Sequence, residues 1–446
     1  MPTLIQNATL VSSAGLRKAD ILIEGERIAA VGTNLQSTGA HDVLDASGLL
    51  AFPGLIDVHT HLREPGGEHK EDFYTGTCAA VAGGVTAVFG MPNTAPAVID
   101  APSLHHALGL AASKAVCDFG LFLGATNGNA GLKTQTPGLL ECGLKIYMGS
   151  STGDLLVEGF AEQYAHFEQY PHDRVIAVHA EHEPAVRFFG TRGVRRPPIC
   201  AELETGRAIA LAEATHRRLH ICHVSTRREV ELIADAKARG ASVTCEYAPH
   251  HLFLTTDSAQ KSEGAKRMAQ DFGACSVNSP ASFFQMNPPL REASHASYLW
   301  SHLDVADCIG TDHAPHTLAE KQSGRPPMGL PGLEDMLPLL LTAVHAGRLR
   351  LEDIARLCCE GPAHAYAIAR KGKIEPGFDA DITLVDPKDA YSIGERPLFT
   401  KCAWTAYAGM RAHGSVHTVY VRGGKAFGQG KVLAAPGSGK RIEQTN

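Results

Sequence analysis

An α/β chain built as a (β/α)8 barrel, with a small β-sandwich assembled from both chain ends, is the fold the sequence predicts. Three observations predict it. Eight apolar, strand-like runs recur between residues 51 and 365, helical patterns separate several of them, and both ends of the chain change to short alternating strands with tight turns. A doubly wound open sheet is the alternative, because a strand count alone does not prove closure.

Residues 1–50 read as a β unit, with TLIQNATLV followed by ADILIEGERIAAVG, in which Gly25-Glu26 separates two alternating apolar runs as a hairpin turn does. Residues 366–446 return to that texture in ADITLVD and HTVYVRGGKAFGQGKVL, where Gly423-Gly424 marks a second hairpin. The two ends therefore pair into one β domain, split in sequence by the barrel at 51–365. The small, polar segment Pro436–Asn446 is expected to fray.

Within the barrel the strands are expected at Leu55–His59, Thr86–Gly90, Gly120–Gly124, Gly143–Tyr147, Val175–His179, Leu219–His223, Ser242–Glu246 and Asp307–Thr311. Helical patterns cover Asp72–Ala82, Glu202–Ala214 and Arg227–Arg239. Thr255–Gln285 is polar and aperiodic, an inserted loop over one face.

Composition excludes several classes of function. At 446 residues and 44% hydrophobic content the chain can bury a sizeable core. A net charge of −6 gives no electrostatic case for nucleic acid or an anionic membrane as partner, so a small molecule is the default ligand. The eleven cysteines include no CxxC pair, which fits reduced thiols in a cytoplasmic protein. No apolar run approaches the roughly 18 residues of a membrane span, and the first residues lack a signal-peptide pattern.

Polar residues fall where such a barrel builds its sites. His59 and His61 follow the first strand, Lys145 lies in LKIYM, His179 ends VIAVHAE, His223 ends LHICHVS and Asp312 ends CIGTDHAPH. A single strand-end histidine is more often structural. Four of them with an aspartate, converging on one barrel face, point instead to a metal centre with N and O ligands, a set that suits zinc, with manganese and cobalt as alternatives. Lys145 reads either as a lysine paired with a carboxylate or as a buried neutral amine that takes up carbon dioxide, its carbamate then bridging two cations.

The motifs GLIDVHTHLREPG, GMPNTAP, GLKIYMGSSTGDLL, VHAEHE, HICHVST, MNPPLR and IGTDHAPH resemble those of the dihydroorotases of the amidohydrolase superfamily, and the resemblance runs over essentially the whole chain. It implies two Zn2+ per chain. His59 and His61 match ligands of the more buried metal with Asp312, His179 and His223 match those of the second, and Lys145 matches the carboxylated lysine that bridges them. Some members use an aspartate instead, and Asp154 stands nearby. Arg63, Asn93 and His316 resemble groups that hold the substrate carboxylate, and Asn287 resembles a contact to the pyrimidine ring.

The resemblance further implies reversible cyclisation of N-carbamoyl-L-aspartate to L-dihydroorotate, the third step of pyrimidine synthesis, with Asp312 as general base and acid. It also implies a homodimer and association with aspartate transcarbamoylase. The rivals are the sister cyclic amidases (dihydropyrimidinase, hydantoinase and allantoinase), whose substrates lack the ring carboxylate, and a non-catalytic scaffold, which the filled ligand positions disfavour.

Overall fold

The structure, a computed structural model, describes residues 2–36, 42–151, 153–256 and 280–445. The barrel strands run over Leu55–Thr60, Val85–Gly90, Asp118–Leu121 continued by Leu123–Gly124, Leu144–Tyr147, Val175–His179, Arg218–Val224, Val243–Tyr247 and Cys308–Ile309. Each pairs in parallel with the next in chain order. The ring closes between first and last strand, where Thr60 bridges His313 and the His61 N–H donates to the His313 carbonyl at 2.7 Å. A parallel sheet closed in this way has no edge to protect, and its upper rim gathers the residues that follow each strand.

Helices return the chain between strands for reasons written locally. Asp72 caps Phe73–Ala82 and Thr226 caps Arg227–Ala238, each with a reciprocal capping box. Ile199–Thr215 stops where His216 takes a left-handed φ of 54°. The helices press their apolar faces on the outward side chains of the strands, such as Ile176, Val178, Leu219 and Ile221. Inside the barrel a second cluster forms from Ile56, Val58, Ala87, Phe89, Phe122, Val175, Ala177 and Tyr366. Phe89, Phe122 and Tyr366 meet edge to face with centroids 5.1–6.0 Å apart, a geometry favoured by the ring quadrupole.

Strands from the two ends form one nine-stranded sheet. Leu50–Pro53 joins them, running parallel to Thr9–Leu10 on one side and antiparallel to Ile382–Val385 on the other. The strands of the expected sandwich are thus joined in one hydrogen-bonded sheet, from which Asp42–Asp45 branches beside Thr3–Gln6. Its own core comprises Ile5, Leu10, Ile21, Ile23, Ile28, Ile382, Leu384 and Tyr420, among others.

Three local expectations need correction. The second hairpin turns at Arg422-Gly423, one residue earlier than the Gly423-Gly424 signal, because Val421 pairs with Gly424 and both turn residues have positive φ. The last barrel strand is only Cys308–Ile309. Most importantly, Pro436–Asn446 is not a frayed tail over its described length. Gly439 N–H donates to Ala115, Ile442 N–H to Phe119 and Thr445 N–H to Ala367, while the Lys440 and Glu443 carbonyls accept from Phe119 and Ala369. Ile442 enters the barrel's inner cluster, so this polar segment seals the barrel floor. Of the expected inserted loop, residues 257–279 lie outside the described residues. No helix among the described residues is long and apolar enough to cross a membrane, and the ten described cysteines are buried free thiols.

Candidate metal centre

Nine of the ten predicted site residues line one pocket at the carboxyl end of the barrel: His59, His61, Arg63, Asn93, Lys145, His179, His223, Asn287 and Asp312. The exception is His316, fully buried behind Arg63. Simple alternation does not bring His59 there. Ile56 and Val58 already face the inner cluster, and a register irregularity between Asp57 and Thr60 turns His59 inward. Asp57 supports that turn by accepting from the backbone N–H groups of His59 and Thr311, at 3.0 and 3.1 Å.

Nitrogen and oxygen atoms converge in two groups. Asp312 Oδ1 lies 3.1 Å from His61 Nε2 and 3.4 Å from His59 Nε2. Beside them, His179 Nδ1 lies 3.0 Å from His223 Nε2. The outer nitrogens are held by other groups. His59 Nδ1 meets Glu246, His61 Nδ1 is 2.7 Å from Asn93 Oδ1, and His179 Nε2 is 3.0 Å from Glu181. Glu246 also accepts from His223 N–H at 3.1 Å and faces His220 Nε2 at 3.2 Å, so one buried carboxylate orients the lower half of the cluster. On the other side Arg196 pairs with Glu181 and is itself fixed by donating to the Ser150 hydroxyl at 2.9 Å. Orienting partners of this kind set which ring nitrogen keeps its lone pair.

The electrostatics ready three of the four histidines for cation binding. Burial lowers the His61 pKa to about 4 and holds His179 and His223 below their ordinary value, so these rings are neutral donors of a lone pair. Burial would also lower His59, but the Glu246 carboxylate outweighs it and raises the pKa to about 10. Asp312 remains a carboxylate: burial pushes it up, and His59 and His61 more than compensate. The buried N and O donors are of the type that holds a divalent cation. His59, Cys222 and Glu246 also approach within ligand distance of one another.

Lys145 is completely buried, and its Nζ donates to Cys222 Sγ at 2.9 Å. Among the described residues no carboxylate pairs with it, so the ion-pair reading of this lysine is not what the structure shows. Asp154 is exposed and does not line the pocket.

Arg63 enters the pocket from a tight turn, its Nε–H donating to the Pro315 carbonyl at 3.0 Å and its Nη2 lying 3.1 Å from His316 Nε2. Asn287 receives Arg195 Nη2 at 3.0 Å. Arg63, His223 and Asp312 all hold left-handed backbone, with φ of 64°, 36° and 48°. Non-glycine residues rarely adopt it, and such strain gathers at functional sites.

Sequence reasoning missed Glu246, Glu181, His220 and Tyr147. A signal existed for three of them, since Glu246, His220 and Tyr147 are polar side chains inside apolar strands. Tyr147 lines the pocket with a buried hydroxyl that has no hydrogen-bond partner among the described residues. Glu181 sits two residues past a strand end, where nothing local distinguishes it.

Comparison with known proteins agrees with this geometry. The profile of the amidohydrolase family matches residues 50–432. The chain is 38% identical over 412 residues to multifunctional protein CAD of Squalus acanthias, covering 92% of this chain but 16% of that protein. It is 37% identical to the dihydroorotase of Pyrococcus abyssi, covering 91% of this chain and 90% of that one. Among solved structures, L-hydantoinase (dihydropyrimidinase) from Arthrobacter aurescens superposes with a TM-score of 0.91 at 27% identity over 99% of both chains.

Proposed function

The chain belongs to the amidohydrolase family, among its dihydroorotases, and on that premise we propose that it interconverts N-carbamoyl-L-aspartate and L-dihydroorotate in pyrimidine biosynthesis. The observation that carries this reading over the sister cyclic amidases is Arg63. A guanidinium in the wall of the metal pocket, its Nε fixed on the Pro315 carbonyl, suits a ring carboxylate that hydantoin and dihydrouracil lack.

His59, His61 and Asp312 would hold one zinc and His179 and His223 a second, with carboxylated Lys145 between them. Bound zinc lowers the pKa of water from about 15.7 toward 7 and polarises a carbonyl oxygen. The protein's own groups do the rest. Arg63 and Asn93 fix the carboxylate, and Asn287 orients the ring. Asp312, the carboxylate nearest both His59 and His61, takes the proton of the attacking water and returns it to the departing ring nitrogen; cyclisation reverses the transfer. The shell of buried side chains keeps bulk water from the reacting carbonyl.

Turnover of L-dihydroorotate against dihydrouracil, hydantoin and allantoin, with metal quantified in the same sample, tests the reading. Turnover of only the uncharged rings would overturn the assignment of Arg63, and activity without bound metal would overturn the mechanism. A cytoplasmic homodimer that associates with aspartate transcarbamoylase completes the proposal. The long multifunctional relatives, of which the chain spans 16%, motivate the association. Light scattering alone and with that partner tests both statements.

A further inference from the structure

A bidentate fork from Arg63 to a substrate carboxylate is least hindered when neither Nη group is engaged elsewhere, and the group that bears on Nη2 is His316. The histidine is fully buried, with Nε2 3.0 Å from the Met328 carbonyl and 3.1 Å from Arg63 Nη2. A carbonyl accepts and a guanidinium donates, so Nε2 cannot satisfy both. If Nε2 carries the proton it donates to Met328 and offers Arg63 nothing. If Nε2 carries the lone pair it accepts from Nη2 and ties the guanidinium to the wall.

The choice is made at Nδ1. Lys70 Nζ stands 3.3 Å from it, and an ammonium can only donate. Glu320 Oε2 lies 3.9 Å from the same nitrogen and would draw a proton onto it, but Lys70 pairs with Glu320 at 3.1 Å and the Thr317 N–H and hydroxyl donate to Oε2 at 2.9 and 3.0 Å. Lys70 lies on the turn that carries Arg63: Gly67 N–H donates to the Arg63 carbonyl, and Lys70 N–H to that of Gly67, each at 2.9 Å. A Cβ at Gly67 would stand 2.8 Å from the Arg63 carbonyl oxygen, so this turn is packed too closely for a side chain there. Arg63, Lys70 and Lys321 all bear on the ring, and with burial they keep it neutral, so one tautomer or the other must be present.

We propose that Lys70 is a positioning residue for carboxylate recognition: by donating to His316 Nδ1 and occupying Glu320, it fixes the proton on Nε2 and leaves the Arg63 Nη groups free for the ring carboxylate. Removing Lys70 frees Glu320 to claim the Nδ1 proton, whereupon Nε2 accepts from Arg63. The inference rests on the carboxylate reading of Arg63 and extends it to a residue that never touches substrate.

The test uses the metal-loaded enzyme and the variants Lys70→Met, Lys70→Arg, Lys70→Met/Glu320→Gln and Arg63→Gln. For Lys70→Met, KM for L-dihydroorotate rises about tenfold with kcat within about twofold. Lys70→Arg restores KM, because arginine can also donate to Nδ1 and pair with Glu320. The double variant regains most of the loss, because the carboxylate that pulls the proton is gone. Calorimetric titration of the same metal-loaded proteins with orotate, an unreactive ring carrying the same carboxylate, shows the same order of affinities. A double variant no better than Lys70→Met, or a Lys70→Met that loses kcat at unchanged KM, overturns the proposal. Lys70 is 20% exposed at its side chain, and Lys70→Leu, which likewise offers no donor, serves if the methionine variant does not fold. An Arg63→Gln variant with unchanged KM and orotate affinity overturns the carboxylate reading itself, whatever Lys70 does.

Discussion

Gly310 follows the last barrel strand, and replacing it with alanine tests whether the carboxylate beneath the metal cluster is as rigid as its contacts suggest. A Cβ there would lie 2.5 Å from Glu246 Oε2, 2.8 Å from its Cδ and 3.2 Å from His59 Cβ. Ordinary contact begins near 3.4 Å, so Glu246 must recede by about 0.9 Å. It has nowhere cheap to go, since His59, His220 and the His223 N–H hold it from three directions. Overpacking of this kind costs about 1–3 kcal/mol, and displacing an orienting partner of a metal ligand weakens metal binding about 10–100-fold. Chelator competition followed by metal quantification should show that loss in Gly310→Ala, with kcat falling in parallel and a modest drop in the melting temperature of the metal-free protein. A variant with native metal affinity and kcat within about twofold would refute the reasoning, because Glu246 would then be free to move without consequence for His59.

Lys145→Ala should reduce bound metal from about two per chain and abolish activity, with partial recovery when short carboxylic acids are added; undiminished activity would move the bridge to Asp154. Deleting Pro436–Asn446 should destabilise the protein by about 3–6 kcal/mol in chemical denaturation, since it removes five backbone hydrogen bonds to the barrel floor and Ile442 from the inner cluster. Burial raises the Glu204 pKa from 4.5 to about 7, with only Arg207 and Gln163 to oppose it. The fold therefore prefers the protonated acid, so its contribution is complete below pH 4.5 and is lost as pH rises toward 7. Glu204→Gln should gain about 1–3 kcal/mol on the parent between pH 4.5 and 8, read from denaturation midpoints at each pH, and a constant difference would contradict the assignment.

The sequence made the barrel legible because its strands are buried on both faces and read as continuous apolar runs, which makes a polar side chain inside or just past one conspicuous. Lys145, His179 and Asp312 stand out for that reason. Glu246 and His220 are no less conspicuous, but their role depends on which strands become neighbours, and strand pairing is not written in any local pattern. Asp57 and the irregularity it braces were invisible, since alternation extrapolates smoothly through a bulge. His316 resembles a pocket group by its motif but lies one layer behind the pocket, because four residues past Asp312 the turn geometry rather than the motif sets direction. The tail was misread for a related reason. Small polar residues suit a frayed end or a strand-like tether equally well, and only the partners at Ala115, Phe119 and Ala367 decide between them.

The sheet that spans both ends carries a consequence for the order in which the molecule is made. Leu50–Pro53 cannot find Ile382–Val385 until the intervening barrel has brought them close, and Phe119 waits for a carbonyl 321 residues later at Lys440. Contacts of such sequence separation are slow to form, because the loop entropy is lost before any pairing rewards it. The first strands therefore emerge with an unpaired edge at Leu50–Pro53 and remain a template for mispairing through most of chain synthesis. Slow assembly follows from where the two halves of the sheet lie in the chain, independently of how stable the finished protein is.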